Sequence, residues 1–239
     1  MRFIGTFHCK RRPAKGAAMA VIAAVLAASA HAETQISVFT GLNENFSSKA
    51  KLDKDGVSEN RTMDWEGKSF DPPPYWGVRG TYWFNSGPGW GVAIDYVHAK
   101  AVADLNFKTD PTYTHLEFTD GLNLLTLNAL YRFAPVFNNV FNDRLVPYVG
   151  AGVGISVPHV EVVLRNFPNQ KTWEYQLGGV AAQGLAGLEY RLGSAWSMFA
   201  EGRLSYARVD ADLTGGGTFK TDIWSPQFAI GITYHFGDH

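Results

Sequence analysis

The sequence predicts an all-β protein, an eight-stranded antiparallel up-and-down transmembrane β-barrel with four long extracellular loops. Three observations predict it. Segments of about ten residues with alternating apolarity recur along the chain, the pattern of strands that face lipid on one side and a polar lumen on the other. The segments number eight, the even count that single-chain outer-membrane barrels use to leave no open edge in a bilayer. Finally, the connections between them alternate between short and long.

Residues 1–32 read as an export signal. Five basic residues (Arg2, Lys10, Arg11, Arg12, Lys15) and no acidic ones precede the apolar run 16–30, and Ala30-His31-Ala32 fits a cleavage site. That run is short for a membrane span, so removal is expected rather than anchoring. Taking those five charges from 21 Lys+Arg leaves 16 against 22 Asp+Glu, a net charge of −6. Such a balance argues against nucleic-acid binding. The one cysteine, Cys9, lies in the signal, so the mature chain is expected to lack disulfides, thiol catalysis and cysteine metal ligands. The remaining residues, 33–239, suit one domain.

The strands are predicted at 35–43, 75–84, 90–98, 122–133, 145–157, 175–192, 196–207 and 228–236. The last is the clearest. Phe228, Ile230, Ile232, Tyr234 and Phe236 share one face, with aromatics at both ends as an interfacial girdle requires, and Ala229, Gly231, Thr233 and His235 share the other. In the fifth, Val149, Ala151, Val153 and Ile155 make the lipid face opposite Tyr148, Gly150, Gly152, Gly154 and Ser156. The same register turns Arg79, Arg132, Arg191, Arg203, Asp95, Glu189 and Glu201 inward. A barrel this narrow is filled by side chains, so these are expected to form a paired polar core. The three glycines are expected to make room for bulky partners such as the guanidinium groups. Gly-Ala-Gly-Val-Gly lacks the spacing and the following helix of a nucleotide-binding loop.

Links 85–89 and 193–195 are short turns and 134–144 is modest, whereas 44–74, 99–121, 158–174 and 208–223 are long. Short periplasmic turns and long outer loops then orient the barrel in the outer membrane, reached through the periplasm.

The long loops gather ionisable groups. His115-x-Glu117 and His159-x-Glu161 each set an imidazole and a carboxylate on one side of an extended chain, and Asp120 follows the first pair. These five residues suit a divalent metal, and Glu117, Asp120, His159 and Glu161 also suit acid/base work. The alternative for each is a solvated loop charge. Lys68, Arg165, Lys171 and Lys220 are candidates for holding substrate phosphates, with surface solvation as their alternative. A G-x-S-x-G nucleophile elbow is absent, as is a His-x-Ser pairing beside either rim histidine.

The runs DWEGKSF, PPPYWGVR, LEFTDGLNLLTLNALYR, PYVGAGVGISVPHVEV, EYQLGG and DLTGGGTFKTDI together resemble the lipid A oxidase family of rhizobial-type outer membranes. The resemblance spans residues 35–236, with LEFTDGLN, VPHVEV and DLTGGGT its specific parts. It implies an enzyme that uses O2 to convert the proximal glucosamine of lipid A to 2-aminogluconate, releasing hydrogen peroxide. It implies lipid A or lipopolysaccharide of the outer leaflet as partner, and no flavin or nicotinamide cofactor. A divalent metal is then the simplest electron acceptor. The chain is expected to be a monomer. A non-enzymatic barrel that binds lipid or surface ligands is the competing expectation.

Overall fold

In a computed structural model, residues 32–236 are described. The expected signal segment with Cys9, and the tail Gly237-Asp238-His239, lie outside the described residues.

Eight strands form the wall: β1 (Glu33–Asn43), β5 (Trp76–Trp83), β6 (Gly89–His98), β9 (Leu124–Arg132), β10 (Leu145–Ser156), β13 (Gly179–Arg191), β14 (Trp196–Asp212) and β15 (Thr218–Phe236). All pair antiparallel in the order β1-β5-β6-β9-β10-β13-β14-β15, and β1 pairs back onto β15 to close the barrel. No helix among the described residues is long and apolar enough to cross a membrane. A short helix, α1 (Asn138–Phe141), lies in the β9–β10 link.

The expected faces are in place. Phe228, Ile230, Ile232, Tyr234 and Phe236 are exposed to the lipid side, whereas Arg79, Arg132, Asp95, Glu189, Glu201 and Arg203 are buried. Arg79 donates to both Asp95 (2.8 and 2.9 Å) and Glu201 (2.8 and 3.0 Å). Arg203 pairs with Glu201 and stands 3.2 Å from Asp95. Arg191 departs from the expectation: it is partly exposed, because it lies at the short-turn end where the wall meets water. The β10 glycines depart too. A side chain at Gly150 would strike Leu130, one at Gly152 would strike Asn128, and one at Gly154 would strike the Leu125 carbonyl. They clear space for strand β9, not for guanidinium groups.

The four long connections, predicted as loops, are largely sheet. β14 and β15 run past the expected ends at Ala207 and Phe228 as one long hairpin, turning at Gly215, Gly216 and Gly217, all at positive φ. Their alternation continues, but its polarity inverts. Within the membrane the inward residues of β14 are mostly polar (Ser197, Glu201, Arg203 and Ser205, with Phe199 the exception); beyond Tyr206 they become Ala207, Val209 and Ala211, while Arg208, Asp210 and Asp212 turn outward. Water replaces lipid outside, and an apolar core replaces the polar lumen. The ring pair Tyr206 and Trp224, 5.1 Å apart, marks the boundary, as does Trp76 with Tyr96 at 5.4 Å.

On this extension sits the hairpin β2 (Ser48–Lys54) and β3 (Val57–Met63), with β2 pairing on β15. A second, five-stranded sheet completes the exterior. It contains β4 (Trp65–Glu66), β7 (Ala101–Ala103), β8 (Tyr113–Phe118), β11 (His159–Leu164) and β12 (Thr172–Tyr175), ordered β12-β11-β8-β7-β4. The sequence predicted a single strand over 175–192. The structure divides it, giving Tyr175 to the exterior sheet and starting the wall strand at Gly179. One face of the exterior sheet is apolar: Leu116, Phe118, Val160, Val162 and Leu164 are buried, and the Phe118 ring lies 6.2 Å from Phe219 and 5.7 Å from Trp65.

Candidate functional site

The opposite face of the exterior sheet carries the ionisable groups, because alternation puts His115 and Glu117 on β8, and His159 and Glu161 on β11, on one side. The two strands pair Glu161 opposite Glu117 and Val163 opposite His115, and β12 sets Trp173 opposite Glu161 and Tyr175 opposite His159. The expected convergence of His115, Glu117, Asp120, His159 and Glu161 is present. Its framework differs from the expectation: apart from Asp120, these residues stand on paired strands and not on loops.

Glu161 is the hub and is buried. Its Oε2 lies 3.2 Å from His115 Nε2, and its Oε1 lies 2.9 Å from His159 Nδ1. His115 Nε2 is also 3.1 Å from Glu117 Oε1, and His159 Nδ1 is 3.6 Å from Asp120 Oδ2. The Thr119 hydroxyl sits 3.0 Å from Glu117 Oε1 and 3.1 Å from Glu161 Oε1; with one proton, it donates to one carboxylate at a time. The His115 ring stacks on Trp173 at 5.0 Å and an interplanar angle of 21°, and the His159 ring lies 4.6 Å from Tyr175.

Burial alone would raise the Glu161 pKa, but hydrogen bonds from His115, His159 and Thr119 outweigh it and bring it down to about 2. The hydrogen bonds to Glu117 and Glu161 raise His115 to about 9. At neutral pH the hub is therefore a carboxylate facing an imidazolium. Lys100, also buried, donates to the Asp71 carbonyl at 2.7 Å. Burial lowers its pKa against the opposing pull of Asp71, Glu117, Asp120 and Glu161.

The donor set fits a hard or borderline divalent ion. Among the described residues, two groups offer three ligand atoms all within 4.8 Å of one another: His115, Glu117 and Glu161, and Asp120, His159 and Glu161. Asp120 keeps about half of its side chain exposed, so the cluster opens toward solvent on that side. Trp173 and Tyr175 present exposed ring faces beside it.

The cluster stands at the membrane surface. Asn123 Oδ1 accepts from the hydroxyl of Tyr96, a boundary aromatic, at 2.8 Å, and Asn123 Nδ2 reaches the Asp120 carbonyl at 3.5 Å. The Tyr175 hydroxyl donates to that same carbonyl at 3.1 Å.

Three of the four basic candidates are held by different partners. Lys68 pairs with Glu66 at 2.6 Å and Lys220 with Asp210 at 2.9 Å. Arg165 donates to the carbonyls of Asp110 and Phe107, both at 2.7 Å, and so ties a loop together. Lys171 is exposed, and its carbonyl accepts from Thr214. Thr119, Trp173, Tyr175 and Lys100 escaped sequence reasoning. Only Thr119 carried a signal, its place between Glu117 and Asp120.

The outer membrane protein beta-barrel domain matches residues 16–236. The chain belongs to that family. Solved structures to which this outer membrane protein is similar include three crystal structures. Neisserial surface protein A is 14% identical, with 86% of this chain and 97% of that chain covered and a TM-score of 0.46. For OprG from Pseudomonas aeruginosa the identity is 17%, the coverage 88% and 98%, and the TM-score 0.45. For Ail, the attachment invasion locus protein of Yersinia pestis, the values are 13%, 86% and 99%, and 0.40. No curated protein matches the sequence.

Proposed function

We propose that this outer membrane protein is a lipid A oxidase that works on the outer leaflet, with its exterior sheet as the active site. The observation that carries the reading is the gathering of His115, Glu117, Asp120, His159 and Glu161 outside the barrel wall, open to solvent beside two exposed aromatic residues. The motif resemblance in LEFTDGLN and VPHVEV, which hold all five residues, supports it from the sequence side.

The net reaction takes two hydrogens from the C1 hemiacetal of the proximal glucosamine, giving a lactone and reducing O2 to H2O2; water then opens the lactone to 2-aminogluconate. A divalent metal held by these side chains would supply the redox capacity that the side chains themselves lack. Asp120, the exposed carboxylate, accepts the C1 hydroxyl proton. Thr119, whose hydroxyl reaches Glu117 and Glu161, positions these carboxylates, and Trp173 and Tyr175 offer apolar surface to the sugar ring. The acyl chains lie along the apolar wall.

Mass analysis of lipid A from cells with and without the protein tests this directly, the expected change being a one-oxygen gain. Replacing His159 and Glu161 together with Ala is expected to abolish 2-aminogluconate while preserving heat-modifiable barrel migration. Full activity in that variant overturns the site.

A non-enzymatic barrel that binds envelope lipid or a surface ligand is the second reading. What favours it is that hydrogen bonds within the cluster already satisfy the Glu161 carboxylate, as a purely structural network would. Oxygen uptake by purified protein separates the two. Uptake that requires lipid A with a free proximal anomeric hydroxyl supports the oxidase; no uptake, with or without divalent ions, supports the binding protein.

A further inference from the structure

We infer that the exterior cluster is a two-metal centre bridged by Glu161. The inference rests on the metal-binding reading above and deepens it. The two oxygens of the Glu161 carboxylate serve different histidines: Oε2 faces His115 and Oε1 faces His159. Each histidine has its own second carboxylate, Glu117 for His115 and Asp120 for His159. The five side chains thus divide into two sets of three that share only Glu161, each set holding one imidazole and two carboxylates.

This arrangement matches what a pair of divalent ions needs. Imidazole and carboxylate suit first-row ions such as Mn2+, Fe2+ and Co2+, and a carboxylate that gives one oxygen to each ion holds the pair about 3.5–4 Å apart, as in two-metal sites generally. Three protein ligands per ion leave further positions for water or substrate. A single ion held by one set would leave the other histidine and its second carboxylate without a role in binding.

The strand framework fixes four of the five side chains. His115 and Glu117 lie two residues apart on β8, His159 and Glu161 two apart on β11, and the Glu161–Glu117 register fixes the strands against each other. Asp120 alone comes from the segment after β8, and the Tyr175 hydroxyl on its carbonyl positions it.

The test uses the full barrel, purified in detergent, stripped with chelator and titrated with Mn2+. Wild type is expected to bind two Mn2+ per chain and to show the exchange-coupled electron paramagnetic resonance signal of neighbouring ions. His115→Gln and His159→Gln are each expected to retain one ion and lose the coupling, and Glu161→Gln to lose both ions at concentrations that saturate wild type. Heat-modifiable migration reports that each variant is folded. One Mn2+ per folded wild-type chain, or two without coupling, overturns the two-metal centre while leaving a metal site intact. No bound Mn2+ overturns the metal reading as well.

Discussion

Glu161 is nearly inaccessible to water and yet ionised, a state that costs heavily unless hydrogen bonds replace the lost hydration. Two imidazoles and a threonine hydroxyl supply that replacement. Four of the five cluster residues were legible because His-x-Glu has the period of a strand, so each pair had to share a face wherever its segment was extended. Trp173 was not, since its place beside His115 comes from the pairing of β12 with β11, which no spacing encodes. Arg165 likewise has partners that only the fold sets. A guanidinium reads as an anion site in sequence, but here it serves backbone carbonyls. The same loop carries Asp110, whose Oδ1 accepts from the backbone N–H groups of Thr112 (3.0 Å) and Tyr113 (2.7 Å), and whose Oδ2 pairs with Arg61 at 2.7 Å. Burial would raise its pKa, but these partners outweigh that and lower it. With the folded value below the unfolded one, its contribution is complete above the unfolded carboxylate value of about 3.9 and is lost as pH falls through the folded pKa. Hydrogen exchange over 105–113 is therefore expected to show protection at pH 5 that weakens below about pH 4. Asp110→Ala should remove about 1 kcal/mol of that local protection at pH 5, by analogy with loss of a capping side chain.

At the scale of elements, the eight wall strands were legible because lipid imposes an apolar outer face on every one of them. Their lengths were not. A search for apolar residues facing outward stops where the chain leaves the membrane, at Ala207 on β14 and Phe228 on β15, although both strands continue with the opposite polarity. The exterior sheet was hidden by the same inversion, compounded by strands as short as β4. The β10 glycines were recognised as structural but assigned the wrong neighbours, because register between strands decides what a missing side chain admits. Gly152 and Gly184 separate close approach from open space. A Cβ at Gly152 would lie 2.1 Å from Asn128 Oδ1 and 2.5 Å from the Leu127 carbonyl, whereas at Gly184 it would meet nothing within 4 Å. Gly152→Val is expected to destabilise the folded barrel by about 1–3 kcal/mol. Gly184→Ala should be neutral or stabilising by up to about 1 kcal/mol, since glycine weakens a strand by its chain entropy. Urea titration of both variants in liposomes checks the contrast, and equal losses would mean that β9 does not approach β10 as described.

For the molecule as a whole, the polarity inversion makes the barrel and its exterior cap depend on different forces. The cap is stabilised by burial of apolar side chains such as Phe118, Phe219 and Tyr113, while the membrane segment is tied across its lumen by charge. Arg79 on β5 binds Asp95 on the neighbouring β6 and Glu201 on β14, and so links strands that are not adjacent in the wall. Glu201 in turn holds Arg203 and accepts from the Tyr148 hydroxyl of β10 at 2.8 Å. Removing one member of such a buried network leaves its partners charged and unpaired, which costs more than the pairing itself contributes. Arg79→Ala is therefore expected to destabilise the barrel by about 3–5 kcal/mol. The cap stands on the upper ends of β14 and β15, so it is expected to fail together with the wall, with loss of heat-modifiable migration and of metal binding at the same denaturant concentration. Destabilisation confined to the wall, with Mn2+ binding surviving after the barrel has unfolded, would show instead that the exterior sheet holds its site independently.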